Sequence, residues 1–263
     1  MRNRLMCLAL GLVAALALSS AASAQTAQTQ AKPATAAKAP AASRDIDGVW
    51  FHIGAGTKLN KTAPLTPWGQ AQFAGRKTDQ VDLVAESDDP LVKCDPEGFP
   101  RSVLFEIRGM QFVSAPTKMV QLFQYERVWR EIWTDGRSLP KGAGSDAPGA
   151  PDPRYYGYSV GHWDGDHTFV VDTVGMDDRT WLDDAGHPHS ADLHVEERYT
   201  RPDHDDLQLT VKIDDPKAYT EPYIASTVPF TWNPKQEFEE QLCIPSAAQA
   251  YMSVIANPAG GKK

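Results

Sequence analysis

The sequence predicts an all-β protein: an antiparallel up-and-down β-barrel with one short N-terminal helix and long loops at one mouth. Three observations carry this expectation. From Met110 onward, short runs of alternating apolar and polar residues recur with turn signals between them. Beyond that point no stretch holds a helical period of several turns. The ordered part opens on Gly48-Val49-Trp50, a first strand whose indole can plug one end of a barrel.

Taken in order, residues 1–24 read as a secretory signal peptide. Arg2 and Arg4 precede an apolar run from Leu5 to Leu18, and Ala22-Ser23-Ala24 supplies the small residues for cleavage before Gln25. The run is too short to span a bilayer. The expectation is a periplasmic or secreted protein with no membrane insertion. Residues 25–43 are rich in Ala, Gln, Lys, Thr and Pro and lack aromatics, which reads as a disordered tether. One domain, 44–256, follows, with a flexible tail at 257–263.

The formal charge is −8, from 26 Lys and Arg against 34 Asp and Glu; losing Arg2 and Arg4 makes it 24 − 34 = −10. An acidic chain with no basic stripe argues against nucleic acid as a partner and against electrostatic binding to anionic membranes. Cys7 leaves with the signal peptide. Cys94 and Cys243 remain, most simply as a disulfide in an oxidising compartment, with two buried thiols as the alternative.

Within the domain, 65–73 reads as the one helix, capped by Thr66 with Pro67 in its first turn. Residues 77–101 carry Asp-Asp-Pro, Cys-Asp-Pro and Gly-Phe-Pro and read as a long loop stapled at Cys94. Strands are expected at 110–114, 119–124 and 128–134. A hairpin of 156–163 and 168–174 follows a Gly/Pro-rich loop, and 192–200 and the amphipathic run Leu207, Leu209, Val211, Ile213 complete the series. In a meander, alternate connections share an end. Those at 135–155, 176–191 and 214–227 should therefore meet at one mouth, where barrels bind small molecules. Tyr155, Tyr156, Trp181, His187, His189, Tyr219 and Tyr223 would form its rim.

The expected chemistry centres on 180–199, where a histidine-rich loop enters a strand. Glu197 falls in register with Val195 and Tyr199, and Arg130 with Val128 and Ile132. Asp172 alternates with Val170 and Val174, although Phe169, Val171 and Thr173 compete with it for the interior. Burial makes a carboxylate a stronger base, as acid–base chemistry requires. The candidate catalytic set is His189, His194, Glu197, Arg130 and Asp172, and the candidate substrate-binding set is Trp181, Tyr156, Tyr219, Tyr223 and His187. A structural arginine–carboxylate pair is the competing account of Arg130 and Glu197. No organic cofactor is expected. His187, His189 and His194 form a candidate zinc or copper set, opposed by the polar loop in which His187-Pro188-His189 lies. Gly-x-Ser-x-Gly and a glycine-rich phosphate loop are absent.

Four stretches resemble a large family of exported bacterial β-barrel proteins, mostly labelled hypothetical. They are Arg130-Glu-Ile-Trp-Thr-Asp-Gly-Arg137, Tyr156 through Gly-His-Trp-Asp-Gly to Asp166, Gly186-His-Pro-His-Ser190 with Leu193-His-Val-Glu-Glu-Arg198, and Ile213-Asp-Asp-Pro-Lys-Ala-Tyr219. The resemblance covers about residues 45–245 and implies export and a barrel; it names no activity. A looser similarity, through Gly48-Val49-Trp50 and the meander, is to the lipocalin-like (calycin) barrels, which implies a cavity for an apolar ligand. Fold alone does not decide function. The expected function is an exported enzyme, a lyase, isomerase or hydrolase, acting on a small, partly apolar or aromatic molecule. The alternatives are a carrier or sensor with the same cavity, and a metal-dependent enzyme.

Overall fold

The computed structural model describes residues 38–52, 59, 63–78, 87–104 and 108–256. The expected signal peptide, most of the expected tether and the expected tail lie outside the described residues.

Nine strands form one closed barrel in chain order: β1 (Gly48–His52), β2 (Gly109–Ala115), β3 (Lys118–Phe123), β4 (Trp129–Trp133), β5 (Tyr158–Asp164), β6 (Thr168–Val174), β7 (His194–Thr200), β8 (Asp206–Asp214) and β9 (Tyr223–Trp232). β9 closes the ring against β1, with Trp50 opposite Trp232. The barrel is as expected, with one correction: β4 and β5 run parallel, while the other neighbours are antiparallel. The reason is parity. A ring of strands that alternate in direction needs an even number of strands, so nine close only with a parallel pair among them.

That pair has two consequences. Its ladder is short, with only Ile132 opposite Ser159 and Trp133 opposite Val160. It also needs a long connection, as parallel neighbours do. β4 ends at the base, the end where β1 begins, and β5 starts at the upper mouth. The 24 residues between them (158 − 133 − 1) must climb the barrel. The connection expected at one mouth therefore only finishes there. Its end is tied to the 175–193 loop by Arg154 N–H to the Gly175 carbonyl at 3.0 Å and Asp177 N–H to the Arg154 carbonyl at 3.1 Å. The connections at 175–193 and 215–222 do share the upper mouth.

Strand alternation places the core. Phe112, Ile132, Phe169, Val171, Val195, Tyr199, Leu209 and Val211 are buried inside, and the intervening residues face out. β9 escaped the sequence reading because its period breaks. A bulge opposite Val211/Lys212 spaces its inward residues as Ala225, Val228 and Phe230, and Pro229 interrupts the run. At the base, Trp50 is fully buried as a plug, donates to the Ile46 carbonyl at 2.9 Å and lies under the Arg201 guanidinium. Residues 38–43, expected in the tether, are docked here through His204 N–H to the Ala39 carbonyl and Lys38 to Asp206.

The upper mouth is roofed. α1 (Pro67–Ala74) starts at Thr66, whose Oγ1 accepts from Gly69 N–H at 3.1 Å, and Pro67 opens its first turn. Thr66 also donates to the Lys217 carbonyl, which pins the helix to the 215–222 loop. Gly69 permits this approach: a Cβ there would lie 2.3 Å from the Ala218 carbonyl oxygen. The short α2 (Arg101–Leu104) is buried beside the roof. Asp89 holds Arg101 through two hydrogen bonds of 2.9 and 2.7 Å. The expected Cys94–Cys243 disulfide is present, with Cα atoms 5.3 Å apart, and joins the 87–104 segment to the region of the exposed α3 (Pro245–Tyr251). Spanning 149 residues of sequence, it removes unfolded-state entropy equivalent to about 5 kcal/mol in the chain-entropy model.

Candidate functional site

Strand parity brings Arg130 of β4 and Glu197 of β7 together inside the barrel. Arg130 Nη2 donates to both Glu197 oxygens at 2.6 and 2.7 Å, and both side chains are essentially free of solvent. The remaining donors of the guanidinium are also used. Nε donates to Gln121 Oε1 at 2.8 Å, and Nη1 reaches Ser159 and Thr173 at 3.4 Å. Tyr199 donates its hydroxyl to Glu197 Oε1 and accepts from Gln121 Nε2 at 3.1 Å. Burial, followed by the Glu197 charge, pushes the Tyr199 hydroxyl well above its ordinary range, so it stays a donor. Phe99 covers the guanidinium face at 4.0 Å. The network is closed: each charge is matched and each strong donor has an acceptor, as a buried pair requires.

The other expected catalytic residues lie elsewhere. Asp172 faces outward, because Phe169, Val171 and Thr173 fill the interior side of β6. It pairs with His194 on the outer barrel wall, with Nε2 2.8 Å from Oδ1. His189 is buried in the roof loop. Its Nδ1 lies 3.2 Å from the Ser190 carbonyl and its Nε2 2.8 Å from Thr180 Oγ1. Desolvation lowers its proton affinity. It is then a neutral imidazole that donates from Nδ1 to a carbonyl, which can only accept. His187 is fixed by Asp183 at 2.7 Å and stacks on Phe73. His187, His189 and His194 thus have separate partners and do not form the expected ligand set. Among the described residues no group of three His, Cys, Asp or Glu is arranged to hold a metal ion.

Trp181, Tyr219 and Tyr223 of the expected aromatic rim have become part of the roof. Trp181 is buried under Arg76, which donates to the Gly186 carbonyl at 3.0 Å. Tyr219 is buried, donates to the Pro188 carbonyl at 2.8 Å and packs on Tyr223. Asp215 fastens the two loops by accepting from Ser190 N–H at 2.6 Å and Ser190 Oγ at 2.8 Å. Trp181, Tyr219, Tyr223 and His187 close the mouth; none of them lines the cavity described next.

A cavity of about 610 Å3 lies instead at the β4–β5 seam. The climbing connection forms its outer wall with Arg137, Ser138, Leu139 and Pro140. The outward residues Trp129, Glu131, Trp133, Tyr158 and Val160 form its floor, and Tyr155 and Tyr156 lie at its upper end. Where the short ladder leaves a gap, the inward residues Arg130 and Ser159 reach the wall. Gly157 shapes the turn into β5. Its φ is +63°, and a Cβ would lie 2.7 Å from Met176 Sδ and 2.8 Å from the Val174 carbonyl oxygen. Of the expected site residues, Tyr156 and Arg130 line this cavity. Sequence reasoning missed Trp129, Trp133, Arg137 and Arg154. A signal existed in Trp129-Arg-Glu-Ile-Trp133, where the face opposite Arg130 and Ile132 carries two tryptophans, and Trp129 is 58% exposed.

Two outcomes follow from this geometry. Glu197→Gln leaves the Arg130 charge buried without its partner and should cost about 3–5 kcal/mol. The double change Arg130→Met with Glu197→Gln should cost less than Glu197→Gln alone, as read from denaturant midpoints; equal or greater loss in the double variant contradicts a matched pair. For His194, the Asp172 contact raises the folded pKa above its ordinary value. Its contribution is then complete below about pH 6.5, the unfolded value. It is lost as pH rises through the folded value. His194→Gln should therefore be less stable than the parent at pH 5.5 and converge on it by pH 8.5.

No known protein family, no curated protein and no solved structure matches the chain.

Proposed function

We propose that the protein is a small-molecule binder, a carrier or sensor, that holds a flat apolar ligand in the seam cavity. The observation carrying this reading is the cavity itself: about 610 Å3 walled by Trp129, Trp133, Tyr155, Tyr156 and Tyr158. That volume falls in the range of small-molecule sites, roughly 300–1,000 Å3. Aromatic walls favour rings, through area burial and stacking of about 0.5–1.5 kcal/mol per contact. The exposed Trp129 supports the same reading, since a large aromatic left in water beside a concavity is available to a ligand. The disulfide fits an oxidising compartment, so the reading places the binder outside the cytoplasm.

One observation favours an acid–base enzyme as the second reading. The inner wall of the cavity includes Arg130 and Ser159, which belong to the network around Glu197. Against it, both Glu197 oxygens are taken by Arg130 and one also by Tyr199. His189, the other expected base, sits in the roof and does not line the cavity.

A neutral fluorescent probe, N-phenyl-1-naphthylamine, should bind the full chain with blue-shifted emission. Trp129→Ala should weaken it about 3- to 10-fold, the loss of one ring contact. Because Trp129 is exposed, the melting temperature should barely move. Probe binding that ignores Trp129→Ala and Trp133→Ala, or no probe binding, would place the ligand elsewhere or remove it.

A further inference from the structure

The seam cavity holds charged groups as well as rings, and their balance is uneven. Arg130 is cancelled by Glu197 inside the barrel. Arg137 lies over Trp133 at 3.5 Å and is held by Asp135, with Nη2 2.6 Å from Oδ2 and Nε 2.9 Å from Oδ1. Glu131 is held by Lys118. Arg154 differs. Its guanidinium lies over the Tyr158 ring at 4.1 Å, and among the described residues it makes no ion pair with a carboxylate. Summing these groups leaves one uncompensated positive charge on the cavity wall.

From this imbalance we infer that the ligand is an aromatic monoanion, a ring system bearing one carboxylate, with the carboxylate at Arg154 and the rings against Trp129 and Tyr155. The inference rests on the seam cavity being the binding site. Three physical points carry it. A planar guanidinium presents paired N–H donors that match a carboxylate two at a time. Stacked on Tyr158, the Arg154 guanidinium is pre-oriented with its edge free, so little rotamer entropy is lost on binding. A single unmatched charge calls for a single negative charge. A phosphate monoester at neutral pH brings close to two and would leave one unmatched. A neutral ring compound would leave Arg154 facing the ligand unmatched, and a cationic one would add like-charge repulsion.

The opposite sign is disfavoured by the same groups. Glu131 is the one carboxylate among the lining residues, and its ion pair with Lys118 uses its charge. Asp135, beside the cavity, is held by Arg137, whose contact keeps the Asp135 carboxyl below its usual range. A ligand cation would have to displace one of these pairs, whereas a ligand anion displaces only water from Arg154.

The test compares 2-naphthoate, its neutral isostere 2-naphthamide, and the cation 2-naphthylmethylamine, by quenching of tryptophan fluorescence in the full disulfide-bonded chain. Because Arg154 is exposed, a carboxylate pair there of about 0.5–1 kcal/mol predicts naphthoate about two- to fivefold tighter than the amide. The amine should be the weakest of the three. Arg154→Gln should bring naphthoate down to the level of the amide and leave the amide unchanged, while Arg154→Lys should restore part of the difference. Naphthoate affinity should fall with added salt, and the amide's should not. If acid and amide bind equally and Arg154→Gln changes neither, the charge assignment is overturned while the cavity stands as an apolar site. If none of the three binds, the cavity reading fails and the inference fails with it. Tightest binding by the amine would reverse the sign of the site and overturn the inference.

Discussion

The β4–β5 pairing is the constraint on which the rest of the molecule depends. Nine strands cannot alternate around a closed ring, so one neighbouring pair is parallel. A parallel pair needs a chain that climbs from base to mouth, and residues 134–157 supply it. That chain stands off from the strands it crosses, and the space between is the cavity. The void is therefore a product of topology, at the one place where the sheet cannot zip fully.

The same seam explains why a charged network sits in the core. With two residue pairs, β4 and β5 are joined by little backbone hydrogen bonding. Arg130 spans the gap from inside, reaching Gln121 on β3, Ser159 on β5, Thr173 on β6 and Glu197 on β7. One side chain thus links five consecutive strands across the weakest ladder. Replacing a buried pair by apolar residues often costs little stability. What such residues cannot supply is directional bonding between strands that share so few backbone contacts. In this account Arg130 and Glu197 hold the cavity floor in place and leave recognition to the rings and Arg154 outside it.

Much of this was legible in the sequence, and the failures have physical causes. Alternation placed Glu197 inside because the opposite face of β7 carries only His194, Glu196, Arg198 and Thr200; it placed Arg130 inside through Val128 and Ile132, against two tryptophans on the other face of β4. It erred for Asp172 because both faces of β6 carry aliphatic residues, so the period could not choose between them. The Cys94–Cys243 bond was open to counting, since the expected loss of the signal peptide with Cys7 leaves two cysteines to pair. β9 was hidden by its bulge and Pro229. The parallel seam was beyond any local pattern, because strand direction depends on how many strands close the ring. One missed strand made the count appear even. The error carried into the site: an all-antiparallel meander sends the loops to the mouth, and there Trp181, Tyr219 and Tyr223 are packed into the roof.

Amide hydrogen exchange with and without an aromatic carboxylate tests the central claim, that the seam holds the ligand. With the carboxylate bound, slowed exchange is expected only in residues 129–133 and 137–160, the two walls of the cavity. Residues 63–78 and 175–193 of the roof should be unchanged. Protection appearing in the roof and its histidine loop, with the seam unaltered, would contradict it.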